Sequence, residues 1–154
     1  MTSAFVGPII DVRDEWLDYN RHVTDSAYAV MCSVANEAFL DHVGLGAAYL
    51  ARTRCSLYTV ESHLRYLSEV TTSEEVRSET FIVETDAKRL RLHTTLRVAD
   101  RSALTGEYLY LHFDQARGRV IPFPPDRLAV LAAESGRHVD IARPAHLGRG
   151  VEGR

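Results

Sequence analysis

The chain has 154 residues, a formal net charge of -3 and near-average apolar and charged shares, as expected for one domain with a core of its own. That charge gives no footprint for DNA or RNA, and no apolar run reaches the roughly 18 residues of a membrane span. Cys32 and Cys55 show neither metal-ligand spacing nor a disulfide framework, and the opening MTSAFVGPIIDVRDE has no basic stretch followed by an apolar one. The expectation is a cytoplasmic protein with inert thiols and no nucleic-acid or membrane partner.

In chain order, Phe5, Val6, Ile9, Ile10 and Val12 are β-formers interrupted by Gly7-Pro8, and they predict a first strand beginning near Ile9. A polar turn, Asp18-Tyr19-Asn20-Arg21-His22, then feeds a helix. Its apolar positions Ala27, Val30, Met31, Val34, Ala35 and Ala38 follow the i, i+3, i+4, i+7 spacing of an amphipathic stripe. Thr24, Asp25 or Ser26 can serve as its N-cap, and Gly44 suits the residue just past its end. Leu45 to Thr53 predicts a further helical turn or two.

From Cys55 to Ala116 the period is two. Tyr58, Val60, Leu64 and Tyr66 are expected on one face of a strand and Thr59, Glu61, His63 and Arg65 on the other. The pattern recurs at Val76 to Thr85, at Leu90 to Val98 and at Leu109 to Phe113, which predicts a four-strand antiparallel meander. A short helix is expected over Leu128 to Glu134, behind a Pro-rich entry. Residues 1–136 therefore read as one α+β domain, and 137–154 as a loosely ordered tail rich in Arg and Gly. A single helix on a single sheet leaves a face or an edge uncovered, which predicts a homo-oligomer.

The G-x-S-x-G elbow, a Gly-rich phosphate loop, H-E-x-x-H and clustered Cys/His are all absent from the sequence. Carboxylate chemistry remains. Asp18, in the turn before a helix, can act as general base or nucleophile while helix amides stabilise an oxyanion; equally, it can be a turn-forming Asp. His22 can position the loop or meet a substrate oxygen, or be a structural histidine. Asn36, Glu37 and Asp41 lie along the helix and read as a solvated face or as groups at a subunit boundary. Lys88, Arg89 and Arg91, with Arg65, offer donors to phosphates, or solubilise a hairpin. Trp16 and Tyr19 flank Asp18, and with Tyr28, Tyr49, Tyr58 and Tyr66 they can build an aromatic cage for a quaternary ammonium, although each alone is an ordinary core or interface aromatic.

The run from Val12 to Tyr28 resembles the D-x-x-G-H-V/M-N-x-x-x-Y opening of hotdog-fold acyl-CoA thioesterases of the 4-hydroxybenzoyl-CoA thioesterase type. The stretches Tyr58 to Leu67 and Asp86 to Leu90 are similar to those of betainyl-CoA thioesterases of carnitine breakdown, which also occur fused to carnitine dehydrogenase. The resemblance implies an antiparallel sheet wrapped around a long central helix, with active sites at the interface of a homodimer or of a dimer of dimers. It implies an acyl-CoA substrate, possible linkage to carnitine dehydrogenase, and no metal or cofactor beyond the coenzyme A of the substrate.

Carried over by position, Asp18 is the catalytic carboxylate and His22 positions the loop. The amides of Asp25, Ser26, Ala27 and Tyr28 polarise the carbonyl, and Arg65, Lys88, Arg89 and Arg91 meet coenzyme A. Trp16, Tyr19, Tyr49, Tyr58 and Tyr66 line the acyl pocket. Two positions depart from the pattern: Arg21 replaces the usual Gly, and Thr24-Asp25 stands where Asn is common. An Arg lacks Gly's freedom at positive φ, and its guanidinium can pair with Asp18. Other readings consistent with the sequence are a hotdog hydratase or dehydratase using His22 with Glu37, and a non-catalytic acyl-CoA-binding module.

Overall fold

The computed structural model describes residues 3–151. Two short strands, β1 (Phe5–Val6) and β2 (Ile10–Asp11), and one 3-10 turn at Asp14–Trp16 precede α1 (Asp25–His42) and α2 (Ala47–Thr53). The long strands β3 (Cys55–Tyr66), β4 (Glu75–Thr85), β5 (Arg89–Val98) and β6 (Arg101–Asp114) follow, then β7 (Arg119–Val120) and α3 (Pro125–Arg137). All strand pairs are antiparallel, and α1 lies over β4 and β5 of the one sheet. The α+β hotdog arrangement is as expected.

The order across the sheet is β1-β4-β5-β6-β3, so β3 pairs with β6 and only β4-β5-β6 is a meander. This corrects the four-strand meander. The connection from β3 to β4 must cross the sheet, and it does so as a loop of residues 67–74 rather than a tight turn. The single first strand is also two pieces. Pro8 has no N–H to donate, while Gly7 comes so close to β4 that a Cβ would run into Ser78 Oγ, so the strand breaks there and resumes at Ile10.

Tyr28, Met31, Cys32, Ala35, Asn36, Phe39 and Leu40 are buried, together with Ala27, but Val30 and Val34 are 46% and 40% exposed. The buried stripe of α1 is thus rotated from the expected one. Its phase is set by the bulky Tyr28, Met31 and Phe39, whose burial removes far more apolar area from water than two valines would. The helix ends as expected, with Gly44 at φ 70° and Leu45 N donating to Leu40 O at 2.8 Å.

A β-bulge between Thr59 and Glu61 shifts the register of β3 against β6. An extra residue reverses the alternation, so Tyr58 pairs beside Leu111 on the sheet's outer face while Leu64 and Tyr66 pair beside Gly106 and Leu104 on the face toward α1. Tyr58 and Tyr66 therefore do not share a face.

Residues 138–151 are not a loose tail. His138 is fully buried and its Nδ1 accepts the Ile82 amide at 3.1 Å; Arg143 donates to Ile82 O at 3.3 Å. These side chains close the β4 edge beyond the reach of β1, where unpaired backbone groups would otherwise remain. Further on, His146 Nε2 lies 3.2 Å from His93 Nε2, and Gly148 N donates to the Glu107 carboxylate at 2.9 Å. The remainder of the two expected spans, residues 1–2 and 152–154, lies outside the described residues.

Burial, chiefly, holds His93 down to about 4, and His138 and His146 are lowered for the same first reason. Below the ordinary value of 6.5 the unfolded chain takes up protons that these folded imidazoles refuse, so stability is lost as pH falls from 6.5 toward 4. Thermal melts followed by circular dichroism are expected to show this decline, with a shallower slope in His93→Gln by about one proton.

Candidate functional site

Residues Trp16 to Thr24 fold into a tight hairpin. Leu17 and Val23 form a β-bridge, Asp18 N donates to His22 O at 2.9 Å, and Thr24 N donates to Trp16 O at 2.8 Å. The hairpin tip is organised by the Asp18 side chain, whose Oδ1 accepts the amides of Asn20 at 2.8 Å and His22 at 3.1 Å. This is the Asx-type role that suits Asp to turns. Oδ2 has no partner among the described residues, so the half-buried carboxylate retains an oxygen for chemistry. The turn-forming and chemical readings of Asp18 are compatible.

Arg21 sits at φ 65°, the left-handed conformation that glycine adopts freely. Its position is therefore where the usual Gly belongs, and the backbone follows the glycine path despite the side chain. Arg21 is exposed and makes no ion pair with Asp18 among the described residues.

His22 turns toward the crossing loop. Its Nε2 lies 3.5 Å from Glu69 Oε2, it bridges to Thr71 through the backbone, and Val23 N donates to Val70 O at 2.9 Å. The loop is itself clamped by Arg101, which bonds Ser68 Oγ, Glu69 O at 2.8 Å and Glu74 Oε1 at 2.5 Å. Sequence reasoning passed over Arg101 and Glu74, because an ion pair between a loop and a distant strand leaves no local spacing to read.

Thr24 is the N-cap of α1 but makes no capping bond with its side chain. The Ser26 amide is taken by Asp25 Oδ1 at 2.8 Å, and the amides of Ala27 and Tyr28 donate to Thr24 O. Of the four amides expected to polarise a carbonyl, only that of Asp25 lacks an acceptor among the described residues. Beside it, Tyr66 OH donates to Asp25 O at 3.5 Å, and the buried Tyr28 packs edge-on against Tyr66 while donating to Ser68 O at 3.2 Å. Burial raises the phenol of Tyr28 above its ordinary value, keeping it protonated as a donor.

The aromatic set is dispersed. Tyr49 is buried with its hydroxyl 2.9 Å from His112 Nε2, and Tyr58 stacks on Phe113 across the outer face. The Trp16 ring is covered by the Arg13 guanidinium at 5.1 Å, and Tyr19 is 94% exposed at the hairpin tip. Only Tyr66 accompanies the start of α1. The basic set is divided too: Arg89 is held by Asp86 at 2.6 Å and Arg91 by Glu107 at 2.7 Å, while Lys88 and Arg65 form no ion pair among the described residues. Both cysteines are buried and free, and burial pushes the Cys32 thiol up to about 11, which leaves it inert at neutral pH.

Residues 12–132 match the thioesterase-like superfamily. The chain is 37% identical over 145 residues to the L-carnitine dehydrogenase/betainyl-CoA thioesterase of Agrobacterium fabrum, covering 91% of this chain and 29% of that much longer relative. It is 32% identical over 140 residues to the betainyl-CoA thioesterase of Pseudomonas aeruginosa, covering 90% and 88% of the two. A Staphylococcus aureus protein solved in complex with CoA superimposes with a TM-score of 0.92 at 27% identity, covering 100% of this chain and 98% of its own.

The left-handed backbone at residue 21 costs a non-glycine residue about 1–2 kcal/mol. Arg21→Gly is therefore expected to stabilise the protein by about 1 kcal/mol in urea unfolding, and Arg21→Val, with its branched Cβ, to destabilise it.

Proposed function

Because the chain belongs to the thioesterase-like superfamily, we propose that it hydrolyses a short acyl-CoA thioester, betainyl-CoA among the candidates, using Asp18 and the N-terminus of α1. The observation that carries this reading is a carboxylate with one oxygen fixed by two backbone amides and the other free, on a hairpin that leads directly into a helix whose first amide is open.

In the general-base route, Asp18 Oδ2 takes a proton from water as the water oxygen bonds to the thioester carbonyl carbon. In the nucleophilic route the carboxylate itself adds to that carbon, and water releases the acyl group afterwards. In both, the carbonyl oxygen gains negative charge, which the Asp25 amide and the positive end of α1 stabilise. The C–S bond then breaks and the coenzyme A thiolate leaves and is protonated. His22 acts by holding the hairpin against the crossing loop. Coenzyme A enters as part of the substrate, Lys88 and Arg65 being the two of the four expected cations left unpaired among the described residues to meet its phosphates, and no resident metal or cofactor is needed. The same reading makes the protein cytoplasmic and functionally linked to a carnitine dehydrogenase.

It also includes a homodimer. The outer edge of β3 carries no strand, and Tyr58 and Val60 beside it are 41% and 51% exposed. Pairing of two such edges would cover them and bring two sites together.

Thiol release from a panel of acyl-CoAs tests the chemistry. Asp18→Asn keeps a side-chain oxygen for the Asn20 and His22 amides but loses the base, so kcat should fall by about 100-fold or more with the fold intact. Full activity in this variant would remove Asp18 from the mechanism. Sedimentation is expected to show a dimer, and Val60→Lys, which places a charge on the β3 edge, to shift it toward monomer.

A further inference from the structure

Asp25 combines two features that oppose each other for an ordinary acyl group. Its amide is the open donor at the start of α1, while its own carboxylate, anchored by Oδ1 on the Ser26 amide, stands within the same residue. A negative charge so near a forming oxyanion repels it. The opposition disappears if the acyl group itself carries a fixed positive charge close to the carbonyl, because the carboxylate then acts as counter-ion to the substrate.

Tyr66 is the other half of the arrangement. It is tied to Asp25 O by its hydroxyl, braced edge-on by Tyr28 at a ring separation of 5.6 Å, and 53% exposed, so ring surface remains open beside the helix start. Its phenol is raised by burial and next by the Asp25 charge, consistent with their proximity. Arg101, which acts on the neighbouring Tyr28, is itself held by Glu74. A quaternary ammonium has no N–H to donate and is recognised by aromatic faces and carboxylates. The Tyr66 hydroxyl, 3.5 Å from Asp25 O, keeps its ring beside the residue whose amide would receive the carbonyl.

We propose that the Asp25 carboxylate and the Tyr66 ring form the recognition element for a permanently cationic acyl group, with Asp25 selecting such thioesters over neutral ones of the same shape. This rests on the hydrolase reading above and adds the residues that decide its substrate class.

The test compares betainyl-CoA with the neutral thioester in which a tert-butyl group replaces the trimethylammonium. The wild type is expected to favour the cationic thioester in kcat/KM. Asp25→Asn should shift the cationic-to-neutral ratio at least ~10-fold toward the neutral one, because the amide donor stays while the charge goes. Tyr66→Leu should shift it the same way, and Tyr66→Phe should retain the preference. Equal loss on both thioesters in Asp25→Asn, or a wild type indifferent to the charge, would overturn the selectivity and leave the hydrolase reading standing. Hydrolysis of neither thioester, nor of any other in the panel, would overturn both.

Discussion

Burial of one face of α1 against β4 and β5 is the constraint from which the rest follows. Met31, Cys32, Ala35 and Phe39 are fully buried there, and side chains of this size contribute on the order of 1.5–3 kcal/mol each for the larger ones. That packing fixes the helix axis and its rotation, and hence the direction in which the Asp25 amide points. The hairpin from Trp16 to Thr24 then has little freedom, since it ends in the N-cap of this helix and is pinned on its other side to the crossing loop.

The same face is not wholly apolar. Asn36 is buried and accepts from Thr94 Oγ1 at 2.6 Å, which in turn lies 3.1 Å from Thr80 Oγ1. Such bonds add little net stability but penalise any other register, because shifting α1 by a residue would strand several polar groups away from water. Apolar burial supplies the affinity of helix for sheet; Asn36 restricts it to one alignment.

The elements of this fold were largely legible in the sequence, and what was missed has physical causes. Period-two alternation located the strands, but which strands pair is a long-range property, so β3 lying beside β6 had no local sign. The bulge at Val60 reversed the faces of Tyr58 and Tyr66 because a single inserted residue changes every later side chain's direction while leaving composition untouched. The position of the helix was legible and its rotation less so, since Val30 and Val34 fit the apolar spacing while the bulkier Tyr28 and Phe39, outside that stripe, decide which face is buried. An Arg- and Gly-rich composition suggested looseness after residue 136, yet His138 and Arg143 answer unpaired groups on β4 that can be recognised only once the sheet is assembled. The turn that Asp18 organises ahead of the helix was readable from its polar composition; the single open amide at Asp25 was not, because which amides stay free depends on capping geometry.

Closure of the β4 edge by the segment after α3 has a further effect on how copies of the chain can meet. A sheet with both edges open has two docking ends and can extend without limit, as fibrils do. Here one end is made of two two-residue strands, β1 and β2, with His138 and Arg143 capping Ile82 beyond them, while β3 is the one long bare edge strand among the described residues. Edge-to-edge contact is thus extensive at one end of the sheet and scant at the other, which favours closure into a pair over open-ended extension.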